Sequence, residues 1–260
     1  MIKALFFDID GTLVSFRTHR VPESAVEAIS IAKSKGVEIY ISTGRPYGII
    51  NNIDGIKHLV DGYITANGAY VFTSDRLISC SPICRADADI LISKAVEEGF
   101  ACAVVGEKDF MMYNADDMAR HIFKNMLDVP DIGEDIPLEQ VLSQRILQLT
   151  PIIDVVQEAR ILPLLQSVEA SRWFPDFVDL TAKGVSKSKG LAEIAAERGF
   201  DIAETAAFGD GGNDMTMIRA AGIGVAMGNA GEELKRAADY VTTSVDDNGI
   251  YNALKHLDVI

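Results

Sequence analysis

Asp8 and Asp10 stand one residue apart at the end of the apolar run Leu5-Phe6-Phe7, and Gly11-Thr12-Leu13 follows them. A short run that is apolar at nearly every position has the pattern of a parallel strand buried on both faces. In open α/β sheets, ligands bind beyond the carboxyl ends of such strands. Two acids placed there cost free energy unless a cation or a proton compensates them. A divalent metal ion is the simplest compensator.

Further polar motifs follow apolar runs elsewhere in the chain. Ser42-Thr43-Gly44-Arg45 comes after Val37-Glu38-Ile39-Tyr40-Ile41, and Gly209-Asp210-Gly211-Gly212-Asn213-Asp214 comes after Thr205–Phe208. The lysine-rich segment from Lys183 through Lys187 to Lys189 heads a helical pattern. In a parallel sheet these strand ends converge on one crevice, which would gather carboxylates, a hydroxyl, a lysine and glycine N–H groups. Hard oxygen ligands of that kind suit Mg2+, which takes one or two carboxylates and keeps room for substrate phosphate.

The elements that must position these residues alternate between strand and helix. The spacing predicts a helix from Pro22 to Lys35 stopped at Gly36, a strand Val37–Ile41, a helix after Pro46 and a strand Tyr63–Thr65. Asn67-Gly68 reads as a hairpin turn into Tyr70–Phe72, and as a turn rather than a ligand. Near the C-terminus the pattern gives helices Ser188–Arg198, Met217–Ala221, Glu232–Ala238 and Ile250–Leu257, with strands Thr205–Phe208, Gly224–Met227 and Tyr240–Thr242 between them. The expected fold class is α/β, a doubly wound, mostly parallel Rossmann-like sheet.

The middle of the chain differs. Helix patterns at Asp87–Glu98, Asp116–Leu127 and Val155–Val168 are interleaved with strand patterns at Ala101–Val105, Met111–Asn114, Ile146–Leu149 and Phe177–Leu180. This order predicts an α+β unit with a mostly antiparallel sheet. Strands that end in polar motifs lie on both sides of it and not within it, so it reads as an insertion. The expected organisation is a discontinuous core, residues 1–81 and 182–260, with an inserted unit at 82–181.

Composition narrows the partners. Among 260 residues the formal net charge is −14, which argues against non-specific binding to nucleic acid or an anionic membrane. A local metal ion and a few lysines still allow an anionic substrate. The three cysteines, Cys80, Cys84 and Cys102, form no C-x-x-C pair. Reduced thiols in a cytoplasmic protein are expected. The first residues lack the pattern of a signal peptide, and no run approaches a membrane-spanning length. His19, His58, His121 and His256 sit in no motif, and Trp173 reads as a packing residue.

Taken together, FFDIDGTL, STGR and GDGGND resemble the motifs of the haloacid dehalogenase-like (HAD) superfamily, in its Cof-type (IIB) subgroup of sugar-phosphate phosphatases. The resemblance spans the whole chain and implies an inserted cap of the C2B type. It departs at the third motif, where Lys187 is followed by Ser188 and glycine arrives only at Gly190. Lys189 is therefore an alternative, although the fit from Gly184 to Lys187 favours Lys187.

The resemblance implies a role for each residue. Asp8 would be the nucleophile and Asp10 the general acid and base. Thr43, Gly44, Arg45, Lys187 and Asn213 would bind the phosphoryl group, with pairing to a core carboxylate the equal alternative for Arg45. Asp8, the carbonyl of Asp10 and Asp210 would ligate Mg2+, with Asp214 in support. The implied activity is magnesium-dependent hydrolysis of small phosphorylated metabolites, hexose phosphates foremost, through an aspartyl-phosphate. The alternatives are a phosphomutase or phosphotransferase of the same superfamily and a non-catalytic sugar-phosphate-binding regulator. The expected partner is the small metabolite alone, with no nucleic acid or membrane, and the chain is expected to be a monomer or a weak homo-oligomer.

Overall fold

Residues 1–260 are described by a computed structural model. It divides into one unit of Met1–Gly44, Ile50–Ser79 and Ser186–Ile260, and a second of Arg45–Ile49 and Cys80–Val185. In chain order the elements begin with β1 (Ala4–Phe7), α1 (Glu23–Ser34), β2 (Glu38–Ser42), β3 (Gly62–Thr65), β4 (Tyr70–Thr73) and β5 (Leu77–Cys80). The second unit contributes α2 (Arg85–Glu98), β6 (Cys102–Gly106), β7 (Phe110–Tyr113), α3 (Asp117–Arg120), α4 (Leu138–Leu142), β8 (Ile146–Pro151), α5 (Val155–Ile161), β9 (Val168–Phe174) and β10 (Phe177–Ala182). The chain returns through α6 (Lys187–Arg198), β11 (Thr205–Gly209), α7 (Met215–Ala220), β12 (Ile223–Ala226), α8 (Glu232–Ala237), β13 (Tyr240–Val241) and α9 (Gly249–His256).

The first unit holds an eight-stranded sheet in the order β13-β12-β11-β1-β2-β3-β4-β5. β13 through β3 run parallel, and β4 folds back antiparallel on β3. Alternate side chains leave the strands on opposite faces, so β1 feeds two cores at once. Leu5 and Phe7 pack with Ile39, Ile41 and Phe208 against α1 and α9. Ala4 and Phe6 pack with Tyr40 and Ile64 against α6, α7 and α8. Ring stacking fixes the central strands on both faces, Phe6 on Tyr40 at 4.9 Å and Phe7 on Phe208 at 4.6 Å. This is the doubly wound, mostly parallel sheet that the strand–helix alternation implied.

The second unit holds a five-stranded sheet, β7-β6-β8-β10-β9, antiparallel at every pairing. One face packs Cys102, Val104, Leu149, Val178 and Leu180 against Ala88, Leu91 and Ala95 of α2. On the other face, Gln148 and Thr150 donate to Asp179 Oδ1, and Trp173 Nε1 donates to Oδ2 of the same carboxylate. Trp173 also packs edge-on against Phe177.

Several elements differ from the sequence pattern. The helix expected after Pro46 is one 3₁₀ turn, Tyr47–Ile49. Gly48 weakens a helix there, and the following Asn51 and Asn52 have low helix propensity. The helix expected to reach Val168 stops at Ile161, because Pro163 removes a backbone donor. The chain beyond it becomes β9, which periodicity did not signal. α4 and edge strand β5 were likewise not anticipated, whereas the helix expected over Asp116–Leu127 is present as α3 and its π-helical continuation His121–Met126. The hairpin at Asn67-Gly68 is present, with Thr65 opposite Tyr70. Its turn takes left-handed backbone at Ala66 (φ 49°), Asn67 (φ 54°) and Gly68 (φ 104°).

Gly190 brings α6 close to the sheet: a Cβ there would lie 2.6 Å from Ile64 Cγ2. Ile64 is fully buried and β-branched, so it cannot swing aside. Gly190→Val is expected to destabilise the fold by about 1–3 kcal/mol, measured by urea unfolding. Unchanged stability would mean that α6 can lift from the sheet freely.

Candidate active site

Asp8 extends β1 by one residue, its N–H donating to Phe208 O at 3.0 Å, and the side chain is buried. The backbone then turns sharply. The N–H groups of Thr12, Leu13 and Val14 all point to Ile9 O, and Gly11 takes φ +82°. A Cβ on Gly11 would overlap the Asp210 carboxylate, so only glycine allows this approach. Asp10, half-buried, lies within the same turn.

Lys187 is the first residue of α6, behind the N-cap Ser186, whose hydroxyl accepts from Lys189 N. Cations are disfavoured at a helix N-terminus, so carboxylates must hold it there. Only 1% exposed, its ammonium donates to Asp8 Oδ1 at 2.6 Å and Asp214 Oδ1 at 2.5 Å. Asp214 Oδ2 accepts from the backbone N–H groups of Asp210 and Gly211, which fixes the loop after β11. Lys189 instead points to solvent, 3.8 Å from Glu193.

The phosphoryl-binding candidates form a second cluster. Thr43 N donates to Ile64 O at 2.8 Å, and Thr43 O accepts from Asn67 N at 3.1 Å. Asn213 Nδ2 donates to Asn67 Oδ1 at 3.2 Å. A Cβ on Gly44 would meet the amides of Asn67 and Asn213, and one on Gly68 would overlap Ser186 O. The hairpin turn therefore links the loop after β2, the start of α6 and the loop after β11. Arg45 groups with the second unit, buried, donating to Ile49 O at 3.3 Å and Leu127 O at 2.7 Å.

Asp8, Asp210 and Asp214 each offer an oxygen, and these atoms lie within 4.8 Å of one another. One ammonium does not balance that charge. Burial, followed by the field of Asp214, raises Asp8 well above the ordinary carboxylate range, against the opposing pull of Lys187. Burial and the field of Asp214 likewise push Asp210 up to about 7, while the Thr12 hydroxyl and Lys187 oppose them. Lys187 is raised as well, which keeps it charged: burial opposes its charge, but Asp214 and Asp8 outweigh burial. All the donors are hard oxygens, and an added divalent cation would relieve the excess negative charge. The donor set therefore fits Mg2+.

Three contacting residues went unflagged in the sequence. Thr12 Oγ1 donates to Asp210 Oδ1 at 3.2 Å, and Asn229 Nδ2 donates to Asp210 Oδ2 at 3.2 Å. The third is Asn67, read only as a turn residue. Asn229 did carry a signal, since Gly228-Asn229 follows the apolar strand β12 as the other motifs follow theirs.

Comparisons with known proteins identify the family. A sequence model of the haloacid dehalogenase-like hydrolases matches residues 5–254. YkrA of Bacillus subtilis (strain 168), a protein named as a phosphatase, is 31% identical over 99% of this chain and 98% of its own. The solved HAD subclass IIB sugar phosphatase BT4131 is 45% identical, with a TM-score of 0.93 over 99% of this chain and 100% of its own. A second solved structure belongs to a phosphoryl-transfer superfamily with a conserved trigonal-bipyramidal intermediate. It is 44% identical, with a TM-score of 0.95 and full coverage of both chains.

Replacing Lys187 by methionine leaves the carboxylates unneutralised. At pH 8 without metal, Lys187→Met is expected to lose about 3–5 kcal/mol of stability in urea unfolding. The loss should shrink at lower pH. Asp210 has a folded-state pKa of about 7, raised above an unfolded value of about 4. Its protonation stabilises the fold fully below the unfolded value, and this contribution disappears as pH rises through about 7. A loss that does not vary between pH 5 and 8 would contradict this charge balance.

Proposed function

The chain belongs to the haloacid dehalogenase-like hydrolase family and is a phosphatase, and from that premise we propose that it uses Mg2+ to hydrolyse small phosphorylated metabolites, hexose phosphates foremost, through a phosphorylated Asp8. The observation that carries this reading is the fully buried Lys187 held between Asp8 and Asp214, with the Asp210 carboxylate beside them. Such a lysine leaves a carboxylate poised for in-line attack while damping its repulsion from an incoming phosphate.

In the proposed reaction an Asp8 oxygen bonds to phosphorus as the ester oxygen departs. Asp10 gives its proton to that oxygen, so the alcohol leaves neutral. Asp10 then takes a proton from water, whose oxygen bonds to phosphorus and releases inorganic phosphate, regenerating the Asp8 carboxylate. Thr43, the N–H groups around Gly44, Arg45, Asn213 and Lys187 hold the phosphoryl oxygens. Asp8, the Asp10 carbonyl and Asp210 hold Mg2+, with Asp214 fixing the loop that carries Asp210. The bound cation supplies charge neutralisation for the transferring group.

Residues 82–181 are proposed as the inserted cap that selects the leaving group. Identity of 45% to a sugar phosphatase supports the sugar-phosphate class. The net charge of −14 supports a small substrate over nucleic acid, and the three free cysteines support a cytoplasmic setting. No helix is long and apolar enough to cross a membrane.

Phosphate release from a panel of hexose, pentose, nucleotide and cofactor phosphates tests the reading. Release should require Mg2+, stop with EDTA and rank hexose phosphates highest by kcat/KM. EDTA-resistant turnover would contradict the metal role, and release only in the presence of an acceptor would favour phosphoryl transfer. Asp8→Asn should reduce turnover to background with the fold intact. Asp10→Ala should lower kcat about 10²–10⁴-fold. A rate near that of the unaltered protein in either variant would overturn that residue's role.

A further inference from the structure

We propose that Asn229 is a positioning residue that aims the Asp210 carboxylate at Mg2+, an inference resting on the metal-dependent reading above. The residue follows β12 in the turn Met227–Ala230, and its side chain joins three segments distant in sequence. Its Oδ1 accepts from Val245 N at 3.0 Å, while Nδ2 donates to Gly11 O at 2.8 Å and to Asp210 Oδ2 at 3.2 Å. A backbone N–H can only donate, and a carbonyl and a carboxylate oxygen can only accept, so these partners settle which way the amide points.

The Asp210 carboxylate lies against Gly11, where no Cβ would fit. Thr12 Oγ1 donates to its other oxygen at 3.2 Å. The carboxylate is thus held from both sides by neutral donors, whereas Lys187 hydrogen-bonds Asp8 and Asp214. Neutral donors fix direction without cancelling the charge that attracts a cation, as is usual for groups behind metal ligands. The far anchor is also tied to the nucleophile loop. Val245 begins the 3₁₀ turn Val245–Asp247, and Ser15 Oγ donates to Asp246 Oδ1 at 2.8 Å. Asn229 is itself exposed, so the hydrophobic core does not depend on burying it.

Calorimetric titration of magnesium into metal-free protein tests the role directly, alongside thermal unfolding of the same samples. Asn229→Ala should weaken magnesium binding about 10–100-fold while the metal-free melting temperature stays within a few degrees of the unaltered protein. Asn229→Ser, which keeps a short polar side chain but cannot span to Gly11 and Asp210, should do the same. Unchanged magnesium affinity in a folded variant would overturn the inference, and so would loss of the folded state in both variants, which would make Asn229 a structural tie. Failure of the unaltered protein to bind magnesium would instead remove the metal reading on which this one rests.

Discussion

A single buried ammonium, that of Lys187, shares hydrogen bonds with Asp8 and Asp214. Removing it would leave carboxylates facing one another out of water, a situation that proteins avoid by protonation or by binding a cation. Keeping it leaves the cluster still short of positive charge, because Asp210 adds a further carboxylate. The site is therefore stable enough to fold and remains electrostatically incomplete. That imbalance favours a divalent cation, whose charge would in turn offset the repulsion between these carboxylates and an incoming phosphate ester.

The sheet makes this arrangement possible. β1 and β11 are adjacent and parallel, so the loops carrying Asp8 and Asp210 leave the sheet at the same end. β2, on the other side of β1, delivers Thr43 and Gly44 to that end as well. The hairpin between β3 and β4 folds back to meet Asn213 and the head of α6. Left-handed backbone at three successive residues costs energy, and the contacts to Thr43, Asn213 and Ser186 hold the turn in that form.

Much of the site was legible because its acids and lysine lie in sequence next to the elements that present them. Asp8 and Asp210 directly follow apolar strands, Asp214 closes the loop after the second of them, and Lys187 opens a helix where a cation is electrostatically misplaced. Thr12 and Asn229 were not legible as a pair, because they meet at Asp210 from positions 198 and 19 residues away in sequence. Asn67 was obscured by its turn chemistry: Asn-Gly explains a hairpin fully without invoking Asn213. Elsewhere, Pro163 ended a helix that its apolar spacing continued, and β9 formed from residues whose pattern suited either state. Arg45, adjacent to the phosphoryl motif in sequence, makes its backbone hydrogen bonds to Ile49 and Leu127 of the second unit.

The most direct test of the account is the number of protons released when Mg2+ binds, measured by calorimetry in buffers of different ionisation enthalpy. With Asp210 raised to about 7 and Asp8 also raised, the cation must displace protons near neutral pH. The account predicts a net release at pH 6–7 that fades as pH rises toward 9, with apparent affinity strengthening over the same range. Binding with no proton release at pH 6, or no binding at all, would contradict a carboxylate cluster that the cation completes.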